Sequence, residues 1–128
     1  GAVAVSHLAQ NMGINWLGVA TVPEGLELRA AGIRLPILKL SPAFPEEMPA
    51  ALENRLTLTV LDRAQVDLLQ TQARAAHIQA DVHLKLDTGM GRIGVTPAQA
   101  PDLASTRQTL AQCWGMNPPG LTWCAPAL

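Results

Sequence analysis

Residues 82–95 read Val82-His83-Leu84-Lys85-Leu86-Asp87-Thr88-Gly89-Met90-Gly91-Arg92-Ile93-Gly94-Val95. Side chains of a strand alternate between its two faces. Val82, Leu84 and Leu86 therefore point one way, and His83, Lys85 and Asp87 the other. An apolar face opposite three ionisable groups predicts a strand backed by helices, with its other side facing a functional cavity. Beyond Asp87, Gly89 and Gly91 permit backbone conformations that other residues avoid and leave room for a ligand. The turn presents Arg92, whose planar guanidinium suits an oxyanion or carboxylate.

Working backwards, strands and capped helices alternate. Val5, Leu8, Ala9 and Met12 recur at helical spacing in residues 1–12, and Gly13 closes that helix as a C′ glycine. His7 falls between them and reads as a solvent-facing helix residue. Trp16 to Ala20 is a short apolar run that predicts a buried parallel strand. Thr21 caps the next helix, with Pro23 in its first turn and Glu24 at the reciprocal capping-box position. Leu26, Ala30 and Ile33 define its inner side, and Gly32-Ile33 predicts a Schellman stop.

Leu35 to Leu40 is the second strand, with Pro36 near its start. Proline-rich residues 41–49 lead into a short helix ending near Asn54. Leu56 to Leu61 is a third strand. Asp62 with Gln65 caps a helix to about His77, with Val66, Leu69, Ala73 and Ala76 as its buried stripe. Val82 to Asp87 is the fourth strand, and Thr96-Pro97-x-Gln99 opens a further helix that Pro101 disturbs. A strand–cap–helix repeat of roughly 20 to 25 residues predicts βαβ units and a parallel sheet.

Composition narrows the functional classes. The chain has 128 residues, a formal net charge of −1 and no tyrosine. It is long enough for one modest domain. No Lys/Arg cluster marks a nucleic-acid surface, and no apolar run approaches the roughly 20 residues that span a bilayer. The N-terminus lacks the charged start of a signal peptide. Cys113 and Cys124 are too few for a disulfide scaffold and lack metal-ligand spacing. The expectation is a cytoplasmic protein with no metal site.

Gly89-x-Gly91-x-x-Gly94 after a strand also matches the dinucleotide fingerprint, in which a helix N-terminus receives a pyrophosphate. That reading requires a helix opening at the glycines and an acidic residue roughly 20 positions on. The next helix start is Thr96-Pro97, and no Asp or Glu follows Asp102. A strand and turn of an unrelated α/β domain, with Lys85 and Asp87 as a structural pair, is the bland alternative.

The run HLKLDTGMGRIG, from His83 to Gly94, resembles the signature of alanine racemase. The resemblance extends back through Trp16–Ala20 (WLGVA), Glu24–Ile33 (EGLELRAAGI) and Leu35–Leu38 (LPIL), and fades after about residue 100. It implies an α/β fold, part of a (β/α)8 TIM barrel, with residues 1–104 supplying about strands two to five. A complete barrel takes about 250 residues. The implied activity is pyridoxal-phosphate-dependent interconversion of L- and D-alanine, the D-isomer serving the cell wall.

In the family, the arginine matching Arg92 donates to the phenolic oxygen of the cofactor and helps hold the substrate carboxylate. The lysine matching Lys85, often carbamylated, orients that arginine. Arg92 and Lys85 are thus the expected catalytic pair, with Arg92 also binding cofactor. Glu24 and Arg29 match charged positions of the family pattern and are expected to be structural. Asp87 and Thr88 are expected to satisfy backbone groups of the turn, and His83 to pack in the lumen.

The cofactor lysine is expected before Gly1, and the second base is a tyrosine from the other subunit of a homodimer. The expected partners are therefore an amino-acid substrate and, in the full-length enzyme, a second copy. Neither nucleic acid nor membrane is expected. The chain alone is expected to be inactive. Residues 105–128 depart from the pattern: Leu121-Thr122-Trp123-Cys124 stands where the family carries a Thr-His-Phe-like strand. That predicts a divergent or frame-shifted tail, which a histidine strand in another frame of the encoding DNA would support. A non-catalytic barrel-derived binding domain and a nucleotide-binding α/β domain are the competing readings.

Overall fold

The computed structural model describes residues 1–104 and, by backbone alone, 121–123. In chain order the elements are α1 (Ala2–Asn11), β1 (Leu17–Val19), α2 (Val22–Ala30), β2 (Ile37–Pro42), α3 (Met48–Glu53), β3 (Thr57–Val60), α4 (Arg63–Ala75), β4 (Ala80–Leu84) and β5 (Leu121–Trp123). A helix begins again at residues 100–104. The sheet order is β1-β2-β3-β4-β5, and every pair is parallel.

That order carries topological information. Right-handed crossovers that always step towards the same edge place every helix on one face of the sheet. A doubly wound nucleotide fold instead reverses its strand order at a switch point. No reversal occurs here, so the sheet is a section of a (β/α)8 barrel. Among the described residues no helix is long and apolar enough to cross a membrane.

The core lies between sheet and helices. Val19, Ile37, Leu58, Val60 and Val82 from the strands meet Val22, Leu28, Ala51, Leu52, Val66, Leu69 and Ala73 from the helices. Register aligns this row, since Val19 lies beside Lys39, Lys39 beside Leu58 and Leu58 beside Val82. The opposite row carries Gly18, Leu38, Thr57, Thr59 and His83. It forms the lumen side.

The helix boundaries follow their caps. Thr21 and Glu24 form the expected capping box, and Asp62 accepts from the Gln65 amide at the start of α4. Gly32, at φ +81°, ends α2 with Gly32 N–H to the Arg29 carbonyl and Ile33 N–H to the Leu28 carbonyl. That is the Schellman pattern. Arg29 is structural as expected. Its guanidinium donates to the carbonyls of Asn54, Ile33, Leu35 and Arg55, at 2.8–3.1 Å. It thereby ties the end of α2 to the end of α3.

Several expectations need correction. On α2, Ile33 is buried and Leu26 packs on the core as expected, but Ala30 is exposed and Val22, Gly25 and Leu28 are the helix's buried residues, because Gly25 packs directly against Leu56. On α4, Ala76 is exposed and Gln70 buried, because Ala76 already belongs to the C-cap. On α1 the apolar residues Val5, Leu8 and Met12 are 67%, 59% and 72% exposed, and Ser6 is the buried one. Strand β4 begins two residues early, at Ala80, and ends at Leu84. Pairing with β3 stops at Leu84, so Leu86 has left the helix-facing row and is 45% exposed. A fifth strand, Leu121–Trp123, continues the sheet beyond β4. The rest of the 105–128 tail lies outside the described residues.

Candidate functional site

In a parallel sheet of this kind ligands gather at the carboxyl ends of the strands. Four such ends converge here, and side chains pin the turns that follow them. After β1, the Glu24 carboxylate accepts from the Ala20 and Thr21 amides at 2.8 and 3.0 Å. The Thr21 and Ala20 amides hold Glu24 below the usual carboxylate range. After β3, Gln65 accepts from the Leu61 amide at 2.9 Å. After the glycine turn, Gln99 accepts from the Thr96 amide at 3.2 Å.

The end of β2 holds a residue that periodicity alone did not single out. Lys39 is 3% exposed and lies in the helix-facing row. Its ammonium donates to the Pro42 carbonyl at 2.8 Å, the Ser41 hydroxyl at 3.0 Å and the Ser41 carbonyl at 3.2 Å. The Ser41 hydroxyl in turn donates to the Ala20 carbonyl at 3.2 Å. Three acceptors satisfy the three protons of an ammonium, and they fix the register shift between Lys39 and Pro42. The signal was a lysine inside an otherwise apolar strand, followed by Ser41-Pro42.

Across the lumen face, Leu40 is 49% exposed and lies over Gly18, whose absent side chain leaves it room. Trp16 and His83 meet with ring centroids 5.3 Å apart and planes tilted by 50°. Burial lowers the His83 pKa from its ordinary value, with Asp81 opposing. Its Nε2 is buried and has no partner among the described residues. His83 is thus the packed lumen residue expected.

The glycine turn is closed at its neck by backbone. Val95 N–H donates to the Lys85 carbonyl at 2.9 Å, and Asp87 N–H to the Val95 carbonyl at 2.8 Å. Gly94, at φ +132°, crosses so closely that a Cβ there would stand 2.6 Å from the Asp87 nitrogen and 2.7 Å from the Leu86 carbonyl carbon. Only glycine fits. Inside the turn, one carboxylate oxygen of Asp87 accepts from the amides of Gly89 at 2.9 Å and Gly91 at 3.0 Å. Those two amides, helped by Met90 and Arg92 and opposed by partial burial, keep Asp87 below the usual carboxylate range.

No helix opens at Gly89, Gly91 or Gly94, so the turn lacks the helix N-terminus that pyrophosphate binding requires. Lys85 follows β4 and is half-buried, on the His83 side by alternation, while Arg92 is exposed at the rim of the turn. Backbone closure links their segments. Among the described residues, no hydrogen bond or ion pair joins their charged ends to each other or to another group.

Comparison with known proteins agrees with this geometry. The family described as "Alanine racemase, N-terminal domain" matches residues 1–122. The chain is 45% identical over 106 residues to an alanine racemase of Cutibacterium acnes, covering 82% of this chain and 28% of that protein. It is 44% identical over 105 residues to an alanine racemase of Desulfovibrio desulfuricans, again covering 82% and 28%. Among solved structures, alanine racemase from Clostridium difficile 630 superposes with a TM-score of 0.83 at 31% identity, over 96% of this chain and 30% of that one. Alanine racemase from E. faecalis gives 0.81 at 32% identity, over 96% and 32%. The chain thus spans about 28% of the length of the curated relatives it matches. With the singly wound parallel sheet, these likenesses place the chain in the alanine racemase family, as part of its N-terminal TIM-barrel domain.

Proposed function

We propose that this chain is a working section of a pyridoxal-phosphate-dependent amino-acid racemase that interconverts L- and D-alanine. The observation that carries the reading is Arg92, presented from a backbone-closed glycine turn at the carboxyl end of β4 with no partner for its charge among the described residues. Guanidinium is a good donor array for phenolate or carboxylate oxygens. Lys85 stands two residues along the same face from His83. The lumen face adds an indole, an imidazole and the Leu40 side chain, a surface suited to a flat aromatic ring. These residues fit a pyridoxal ring with anionic oxygens.

The cofactor, when bound, supplies an electron sink for the negative charge left as the substrate α-carbon loses its proton. In this proposal Arg92 holds the phenolic oxygen and steadies the substrate carboxylate, and Lys85 orients Arg92. Two cations side by side would repel and lose hydration. Carbamylation, in which the deprotonated Lys85 amine would add to dissolved carbon dioxide with release of a proton, would make it an anion and convert the repulsion into a charge-assisted hydrogen bond. The proton-transferring lysine and tyrosine of the family come from elsewhere, since this chain has no tyrosine. The chain alone is therefore inactive, and the active unit is a homodimer of the longer protein.

The test is conversion of L- to D-alanine followed by chiral chromatography, with pyridoxal phosphate supplied. The full-length protein turns over and the 128-residue chain alone does not. Absence of turnover by the full-length protein would defeat the reading.

A further inference from the structure

We propose that Asp87 is the positioning residue of this site: its carboxylate organises the glycine turn from within and so holds Arg92 at the rim with its guanidinium unspent. The inference rests on the racemase reading only for what Arg92 finally binds.

The turn has little else to order it. Met90 is 76% exposed, and Gly89, Gly91 and Gly94 all have positive φ, at +132°, +68° and +132°. Glycines lose more conformational freedom on ordering than any other residue, and an exposed loop offers no apolar burial in return. The neck at Lys85, Asp87 and Val95 fixes where the turn begins and ends but not the path between. The Asp87 oxygen fills that role. It accepts from Gly89 two residues on, an Asx-turn, and from Gly91 four residues on, and the Met90 and Arg92 amides also point to the carboxylate.

An ionised carboxylate only accepts, so all of its capacity suits converging N–H groups. Both amides use the same oxygen, so an asparagine would keep that acceptor and lose only the charge, whereas an alanine would remove it altogether. A glutamate would be too long for the two-residue turn. There is a second consequence. A carboxylate five residues before an arginine is an obvious ion-pair partner, and such a pair would consume the guanidinium. Here the Gly89 and Gly91 amides occupy the carboxylate, and among the described residues the cation remains available to a ligand.

The test is amide NMR on the full chain. In the wild type, acidification moves the Gly89 and Gly91 amide protons together, with one midpoint below the ordinary value of about 3.9. In Asp87→Ala, hydrogen exchange through residues 88–92 accelerates at least about tenfold. The Arg92 backbone order parameter falls from about 0.85 to below about 0.6. The Leu58 and Val82 amides keep their protection, Asp87→Glu does not restore order at Arg92, and Thr88→Ala leaves it unchanged. An Ala variant with an ordered Arg92 would overturn the proposal, as would Gly89 and Gly91 amides that do not titrate together. If Leu58 and Val82 lose protection as well, the wild-type titration decides. Failure of the racemase reading would show as alanine turnover indifferent to Arg92, with these loop measurements unaffected.

Discussion

Lys39 and His83 are two nitrogens buried in different ways, and the difference predicts different behaviour. Lys39 is surrounded by oxygens it satisfies. Truncating it to alanine leaves the Ser41 and Pro42 carbonyls and a cavity behind, at a cost of about 2–4 kcal/mol. Lys39→Met fills the space without a charge and costs less, because removing a buried ion also removes its desolvation penalty. Urea denaturation of both variants checks the ranking. His83 instead has an orphaned Nε2, and burial lowers its pKa. A depressed pKa means that protonation opposes folding. Its contribution is intact above the unfolded value of about 6.5 and is lost as pH falls through the folded pKa. Replacing His83 with glutamine should flatten stability across that window. In the proposed site His83 packs and does not move protons, so His83→Ala lowers turnover of the full-length enzyme by less than about tenfold, below the usual loss of a general base.

At the scale of the elements, the sequence was most legible where a local hydrogen bond sets a boundary. Thr21 and Asp62 cap as their spacing implied, because such bonds span only three residues. At Thr96 only half of the expected box forms, since its hydroxyl donates to Gln99 and the helix starts later, at residue 100. Helix rotation was less legible. Periodicity gives the spacing of a stripe but not its phase. In α2 the phase is set by contact of Gly25 with Leu56, which is far away in sequence. The spacing in α1 likewise gave the helix but not which face is covered, and Val5, Leu8 and Met12 are exposed.

Two substitutions test these elements. Thr21→Ala removes an N-cap and should cost about 1 kcal/mol in a thermal or urea melt. Gly25→Ala places a Cβ 2.8 Å from a terminal carbon of Leu56, which is 2% exposed and has little space to yield. Overpacking of about 1–3 kcal/mol should exceed the roughly 1 kcal/mol gain in helix propensity. A stabilised Gly25→Ala would show that α2 is free to move away from β3. In the site, the glycine turn was legible as a turn because three glycines announce it. That no hydrogen bond joins the charged ends of Lys85 and Arg92 among the described residues was not, since spacing along a chain does not fix where two long side chains end.

Among the described residues the sheet does not close, and strand β1 pairs on one side only. The lumen face shows Trp16 at 41% exposure and Leu40 at 49%, while Phe44 at 70% and Met90 at 76% stand out at the strand ends. Parallel sheets are normally covered on both faces, and open edges invite association. The 128-residue chain by itself should therefore melt without a cooperative transition or associate, by calorimetry and size-exclusion chromatography. A sharp melt of a monodisperse monomer would contradict that. The parallel sheet was legible from the regular strand–helix repeat, whereas its singly wound order and closure were implied by resemblance alone. The account turns on Arg92 serving an anionic ligand group inside that closed barrel. Its most direct test is the rate of L-alanine racemisation by the full-length, pyridoxal-phosphate-loaded protein carrying Arg92→Ala. A loss of about 100-fold or more in kcat, the scale of removing a preorganised donor, is the predicted result; turnover indistinguishable from wild type would contradict it.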